Sequence, residues 1–259
     1  MSKILVFNWK MNPQSQNEAE NLVQIIAENT SQNNSQNSIS NSNSQSENNS
    51  TQNSPKDHRI VVCPSFVHLN LLNSYSHFGL SAQDVSVESK GAFTGQISAS
   101  QLKDMKVQYC LIGHSETRAM LTNYEINGKM LQLQNHQITP ILCIGFEQNP
   151  SDSINYYELE EQITSALENI NSGVWIAYEP VWAIGTGKIA DNETIWTVID
   201  FCQKVVEKLG QSGFGHKFLY GGSVSGDNLE ELCKIDNLDG FLIGGASLVP
   251  NKLIEILKY

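Results

Sequence analysis

The chain has 259 residues, 40% of them hydrophobic, which is enough for one large domain or two small ones with a sizeable core. A formal net charge of −11 argues against nucleic acid or an anionic membrane as partner, because the field of the whole molecule repels phosphate, so any phosphate must be held locally. No apolar run approaches a membrane span and no charged-then-apolar leader follows Met1. The five cysteines (Cys63, Cys110, Cys143, Cys202, Cys233) show no metal-binding spacing, and together these features lead us to expect a cytoplasmic protein with reduced thiols.

Taken in order, Ile4 to Phe7 reads as a short strand followed by Asn8, Trp9, Lys10, Met11, Asn12 and Pro13. Lys10 is a candidate cation for an anionic substrate and Asn8 a neutral donor beside it, although a surface turn explains the segment equally well. Ala19, Leu22, Val23, Ile26 and Ala27 give helical spacing over Glu18 to Ala27. From Thr30 to Ser54 nearly every residue is Ser, Asn or Gln. Such a stretch has too little to bury to offset its ordering entropy, so it reads as a disordered insertion, tolerated because loop closure costs little more as length grows.

The alternation then resumes. Ile60 to Cys63 is a strand, Phe66 to Leu72 is helix-like, and Leu80 to Gln83 is a strand leading into the loop Lys90 to Gln96. Ser98 and Gln101 form a capping-box pair for a helix reaching about Met105. Tyr109 to Ile112 is a strand ending in Gly113, His114, Ser115 and Glu116. A helix follows through Ile126 to Asn135, a strand through Ile138 to Ile144, and a helix through about Ile154 to Ile170.

Trp175 to Tyr178 is the sixth strand. Glu179 places a carboxylate at its end and Pro180 stops it. Val181 to Ala190 has stiff apolar residues in the middle with Gly185 and Gly187 behind, a pattern suited to a lid that excludes water from a base. Asp191 opens a long helix. Lys217 to Tyr220 and Phe241 to Ile243 are the last strands, ending in Gly221, Gly222, Ser223 and Val224 and in Gly244 and Gly245, and Pro250 starts a final helix.

Eight strand and helix units in alternation predict a single-domain (β/α)₈ barrel over residues 1–259, with 30–54 as an insertion within it. An open doubly wound sheet is the alternative, weakened because no G-x-G-x-x-G follows the first strand. In a barrel all strand ends converge on one face. That would gather Asn8, Lys10, His114, Glu116, Glu179, Ser223, Gly244 and Gly245, with Gly185 as a further donor from the lid. The glycine pairs suit a phosphate, Glu179 a base, His114 a neutral donor and Lys10 a cation near a developing oxyanion. Glu116 reads as the partner that holds Lys10. No cofactor or metal is required. His58, His68, His77, His136 and His216 read as structural or solvated.

The segments NWKMN (Asn8 to Asn12), AFTG (Ala92 to Gly95), IGHSE (Ile112 to Glu116), AYEPVWAIGTGK (Ala177 to Lys188), YGGSV (Tyr220 to Val224) and GFLIGGASL (Gly240 to Leu248) occur in that order, and together they resemble the triosephosphate isomerase family. The resemblance implies that Glu179 shuttles a proton between two carbons of a triose phosphate. It also implies that His114 polarises the oxygens, that Lys10 and Asn8 bind substrate, and that Gly185, Ser223, Gly244 and Gly245 hold the phosphate. It further implies a glycolytic homodimer in which Thr94 lies near the neighbour's lysine and asparagine. The chain departs from the family at Phe7, where glycine is usual, and at Gln96 and Thr117, where Glu and Arg often pair across the dimer. It departs again at Phe146, where a glutamate usually helps hold the lid tryptophan. The neutral pair predicts a weaker or differently built interface. Two other readings are a phosphate-binding barrel with another reaction, disfavoured by the Glu179, His114 and Lys10 trio, and a silent protein that binds partners through Thr30 to Ser54.

Overall fold

The computed structural model describes residues 2–36, 58–146, 156–183 and 190–259, with the side chains of 31–36 and 183 excepted. β1 (Ile4–Asn8) leads to α1 (Gln16–Gln36), β2 (Arg59–Cys63) to α2 (Leu69–Leu72), β3 (Gly79–Ala82) to α3 (Ala99–Asp104), and β4 (Tyr109–Ile112) to α4 (Ser115–Arg118) and α5 (Asn123–Asn135). β5 (Thr139–Phe146) is followed by α6 (Tyr156–Ala166), β6 (Trp175–Pro180) by α7 (Asn192–Lys208), β7 (Lys217–Tyr220) by α8 (Gly226–Leu232), and β8 (Gly240–Ile243) by α9 (Pro250–Leu257). The strands pair in parallel in sequence order, and β1 closes on β8 through Ile4 beside Gly240. The expected barrel is therefore observed and the open sheet is not.

Strand alternation sorts the side chains into two cores. Ile4 and Val6, Tyr109 and Leu111, and Trp175 and Ala177 point into the barrel with Cys63, Ile141, Cys143, Leu219 and Leu242. Leu5, Phe7, Ile176 and Tyr178, one position out of phase, pack against the helices. Each such fully buried aliphatic side chain contributes about 1.5–3 kcal/mol. The same period also orders the strand ends. Asn8 follows Ile4 and Val6, and Glu179 follows Trp175 and Ala177, so both continue the inward row past the last apolar layer. Burial pushes the thiols of Cys63 and Cys202 up to about 12, so at neutral pH they are small apolar fillers.

Several boundaries differ from expectation. α1 runs past Ala27 to Gln36, into the Ser/Asn/Gln stretch, with the Asn29 amide and the Thr30 hydroxyl donating back to Ile25 O and Ile26 O at 2.8 and 2.9 Å. No glycine or proline stands there to stop it. The rest of the insertion, 37–54, lies outside the described residues. α5 begins at Asn123, earlier than Ile126, because Thr122 and Glu125 make a capping box. β5 continues to Phe146 because Gly145 and Phe146 pair with Glu179 and Pro180. A Cβ at Gly145 would lie 2.0 Å from Glu179 O, so only glycine lets β5 approach β6 at Glu179. Of the helix expected from Ile154 to Ile170, the described part is α6, which ends at Ala166.

Candidate active site

The C-terminal ends of β1, β4, β6, β7 and β8 surround a cavity of about 580 Å³, lined among others by Asn8, Lys10, His114, Glu116, Glu179, Ser223, Gly244 and Gly245. All the described residues that sequence reasoning assigned to catalysis or substrate binding thus meet at one rim. Gly185 lies outside the described residues. Thr94 is exposed on the loop after β3 and does not line this cavity.

Lys10 sits in the left-handed region at φ 55°, a conformation disfavoured for a side chain of this size. Three neighbouring groups hold it there. The Asn8 Oδ1 accepts its N–H at 3.0 Å, and Gln83, just beyond β3, donates from Nε2 to its carbonyl at 2.8 Å and to Cys63 O at 3.0 Å. Its ammonium donates to Glu116 Oε1 at 2.6 Å. The pairing of Glu116 with Lys10 expected from the sequence is observed. Gly244 abuts the same side chain, since a Cβ there would stand 3.3 Å from Lys10 Cε.

His114 caps α4. Its Nδ1 accepts the backbone N–H of Glu116 at 3.3 Å, which makes Nδ1 the acceptor of a neutral ring and leaves the proton on Nε2. That Nε2 lies 3.0 Å from Glu179 Oε1. The other oxygen, Oε2, accepts the backbone N–H of Ser115 at 2.9 Å. Glu179 is only 2% exposed, with one carboxylate oxygen hydrogen-bonded to the Ser115 N–H and the other beside the His114 ring. A single short segment, His114 to Glu116, therefore touches the His114 ring, Glu179 and Lys10 together.

Across the cavity, Asn228 donates to Ser223 O at 2.8 Å and caps Ser225 N at 2.9 Å, which fixes the loop after β7. After β8, Ser247 returns both its N–H and its hydroxyl to Gly244 O, at 2.9 and 2.7 Å, and so fixes the turn that carries Gly244 and Gly245. Sequence reasoning missed Lys252, an exposed residue on the first turn of α9 that also lines the cavity. Among the described residues it has no carboxylate within salt-bridge distance, unlike Lys10.

The four departures have structural consequences. Phe7 is fully buried in the outer core, where its ring packs between strand and helices. Gln96 accepts a short hydrogen bond from the Ser86 hydroxyl, and Thr117 donates to His114 O at 3.2 Å, so both are satisfied within one chain. Phe146 is buried with its ring 6.1 Å from that of Tyr178 and offers no acceptor to Trp182. The Trp182 indole N–H turns toward the Tyr178 phenol without reaching hydrogen-bond geometry. Nearby, burial lowers the pKa of Arg118, whose Nη1 donates to Cys143 O at 2.9 Å.

The family model described as triosephosphate isomerase matches residues 3–259. A protein of that name from Mycoplasmoides gallisepticum is 38% identical over 208 residues, 76% of this chain and 82% of the relative. Namesakes from Endomicrobium trichonymphae, at 36% identity over 77% of this chain and 84% of the relative, and from Idiomarina loihiensis, at 38% over 77% and 84%, are similarly related. With the barrel and its rim, these matches establish that the chain belongs to the triosephosphate isomerase family.

Proposed function

We propose that the chain interconverts dihydroxyacetone phosphate and D-glyceraldehyde 3-phosphate by Glu179-mediated proton transfer through an enediolate. The observation that carries this reading is the contact of the buried Glu179 carboxylate with Nε2 of a His114 whose other nitrogen accepts the Glu116 N–H. A neutral imidazole with its proton on Nε2 can donate to a carbonyl oxygen and strengthen that bond as negative charge develops. The same N–H now faces Glu179. When a substrate oxygen takes it, the carboxylate is released to abstract the proton from the adjacent carbon. Lys10, fixed by Asn8, Gln83 and Glu116, provides the cation for the oxyanion. Ser223, Gly244 and Gly245 hold the phosphate, with Gly185 added by family resemblance, and Lys252 offsets part of the repulsion a dianion meets in a chain of net charge −11. None of these steps calls for a cofactor or a metal.

We also propose a cytoplasmic homodimer. Its support is the exposed apolar surface on the loops after β1, β2 and β3, where Met11 is 85%, Val67 82% and Phe93 40% accessible. Thr94 on the third of these loops would then approach the neighbour's Lys10 and Asn8. The five cysteines are all free thiols, and no described helix is long and apolar enough to cross a membrane. A coupled assay with glyceraldehyde 3-phosphate tests the activity. Turnover indistinguishable from the uncatalysed rate at micromolar enzyme would refute it. Sedimentation across a range of protein concentrations tests the dimer, and a single monomer species throughout would rule it out.

A further inference from the structure

The opposite mouth of the barrel holds a second cavity, of about 750 Å³, at the starts of β2, β3, β4 and β5. Arg59 enters from the first residue of β2, Lys103 and Lys106 from the end of α3 and the turn after it, and His77 from the segment before β3. No Asp or Glu lines this cavity. Among the described residues, none of Arg59, Lys103 and Lys106 has a carboxylate within salt-bridge distance. In a chain with 27 acidic and 16 basic residues, a concave surface whose charged lining residues are all cations departs from the average field, and each of those cations would gain from an anion.

The cavity also has a fixed element. The Arg59 guanidinium lies over the rings of Tyr109 and Trp175, 5.6 and 5.5 Å from their centroids, and those rings pack at 4.5 Å at the base of the barrel interior. Stacking on two aromatic faces orients the guanidinium, one of whose donors is engaged by the Tyr109 hydroxyl, and its other edge donors suit the oxygens of a phosphate. The two lysines add point charges from a separate segment. Gly79 keeps the floor open, because a Cβ there would come within 2.7 Å of the Tyr109 ring.

We propose that this cavity binds a small anion carrying two or more phosphate groups, at a site separate from the catalytic rim. The spread of three cations over two chain segments favours several linked charges over a single phosphate. A volume in the range of ordinary ligand pockets favours a small molecule over a polymer laid across a surface. The strong excess of negative charge elsewhere also disfavours a nucleic acid, whose neighbouring phosphates would be repelled.

The test is a titration of the isotope-labelled full chain with inorganic tripolyphosphate, followed by amide chemical shifts, beside the Lys103→Gln/Lys106→Gln double variant. Saturable shifts at Lys106, Gln108 and Gln137 are expected, weakened at least about tenfold in the double variant and falling with added salt. Both substitutions are on the exposed surface, and kcat and KM for triose phosphate should remain unchanged. Shifts confined to Gly222, Gly244 and their neighbours, or an affinity that the double variant leaves intact, would overturn the proposal. Because binding is read independently of turnover, the result holds whether or not the isomerase reading stands.

Discussion

The two mouths of the barrel hold their cations in opposite ways. At the candidate rim Lys10 is 2.6 Å from Glu116 and the His114 ring 3.0 Å from Glu179, so these groups face partners set from within, and Lys252 alone among the rim cations lacks a carboxylate partner among the described residues. At the other mouth Arg59, Lys103 and Lys106 line a cavity that contains no carboxylate. The difference separates chemistry from attraction. A reacting group must be positioned to a fraction of an ångström, which requires local partners, whereas a site that only captures an anion works best with charge left unbalanced.

The most direct way to break this comparison is at the rim. Glu179→Gln keeps an acceptor for the Ser115 N–H and a similar volume, so stability should scarcely change, while kcat falls by about a thousandfold through loss of the base. A rate within tenfold of the wild type would remove Glu179 from its role. His114→Gln should cost about a hundredfold in kcat, since the amide can donate but is not oriented by the Glu116 N–H. Neither change should alter tripolyphosphate binding at the far mouth, and a loss of that binding would show the two ends to be coupled.

How much of each mouth was legible in the sequence follows from the same distinction. The rim was legible because strand ends converge in a barrel and because Glu179, His114 and the glycine pairs each stand directly after an apolar run. Lys252 was not legible, because the turn from Gly245 to Leu248 that returns α9 to the rim leaves no signal in hydrophobic period. The role of Gln83 depends on contacts with Lys10 and Cys63 that are 73 and 20 residues away. The far mouth was invisible for the same reason, since its cations come from two segments distant in sequence and only closure brings them together. Helices that outrun their apolar spacing do so for local reasons, a capping box at the start of α5 and the lack of a stop residue after Ala27 in α1.

Lys252 offers a finer test, because it is the one rim cation that has no carboxylate partner among the described residues and so behaves like those of the far mouth. If its role is attraction, Lys252→Gln lowers kcat/KM about threefold at low ionic strength, and the deficit vanishes near 1 M salt, where the screening length falls to about 3 Å. Lys252→Arg should restore most of the loss. A deficit in kcat that persists at high salt would instead place the side chain in the positioned machinery with Lys10.

The smallest effect is expected where the chain belongs to neither mouth. α1 packs against α9 on the outside of the barrel, and the Ser/Asn/Gln stretch follows it in sequence after Gln36. Halving the segment 37–54 changes the closure cost by only about 0.6 kcal/mol, in the stabilising direction, and kcat/KM should stay within about twofold. Thermal unfolding and the coupled assay measure the two quantities on the same variant. If activity collapsed while the unfolding midpoint held, the segment would have to contact one of the charged mouths, and the assignment of function to fixed internal partners alone would fail.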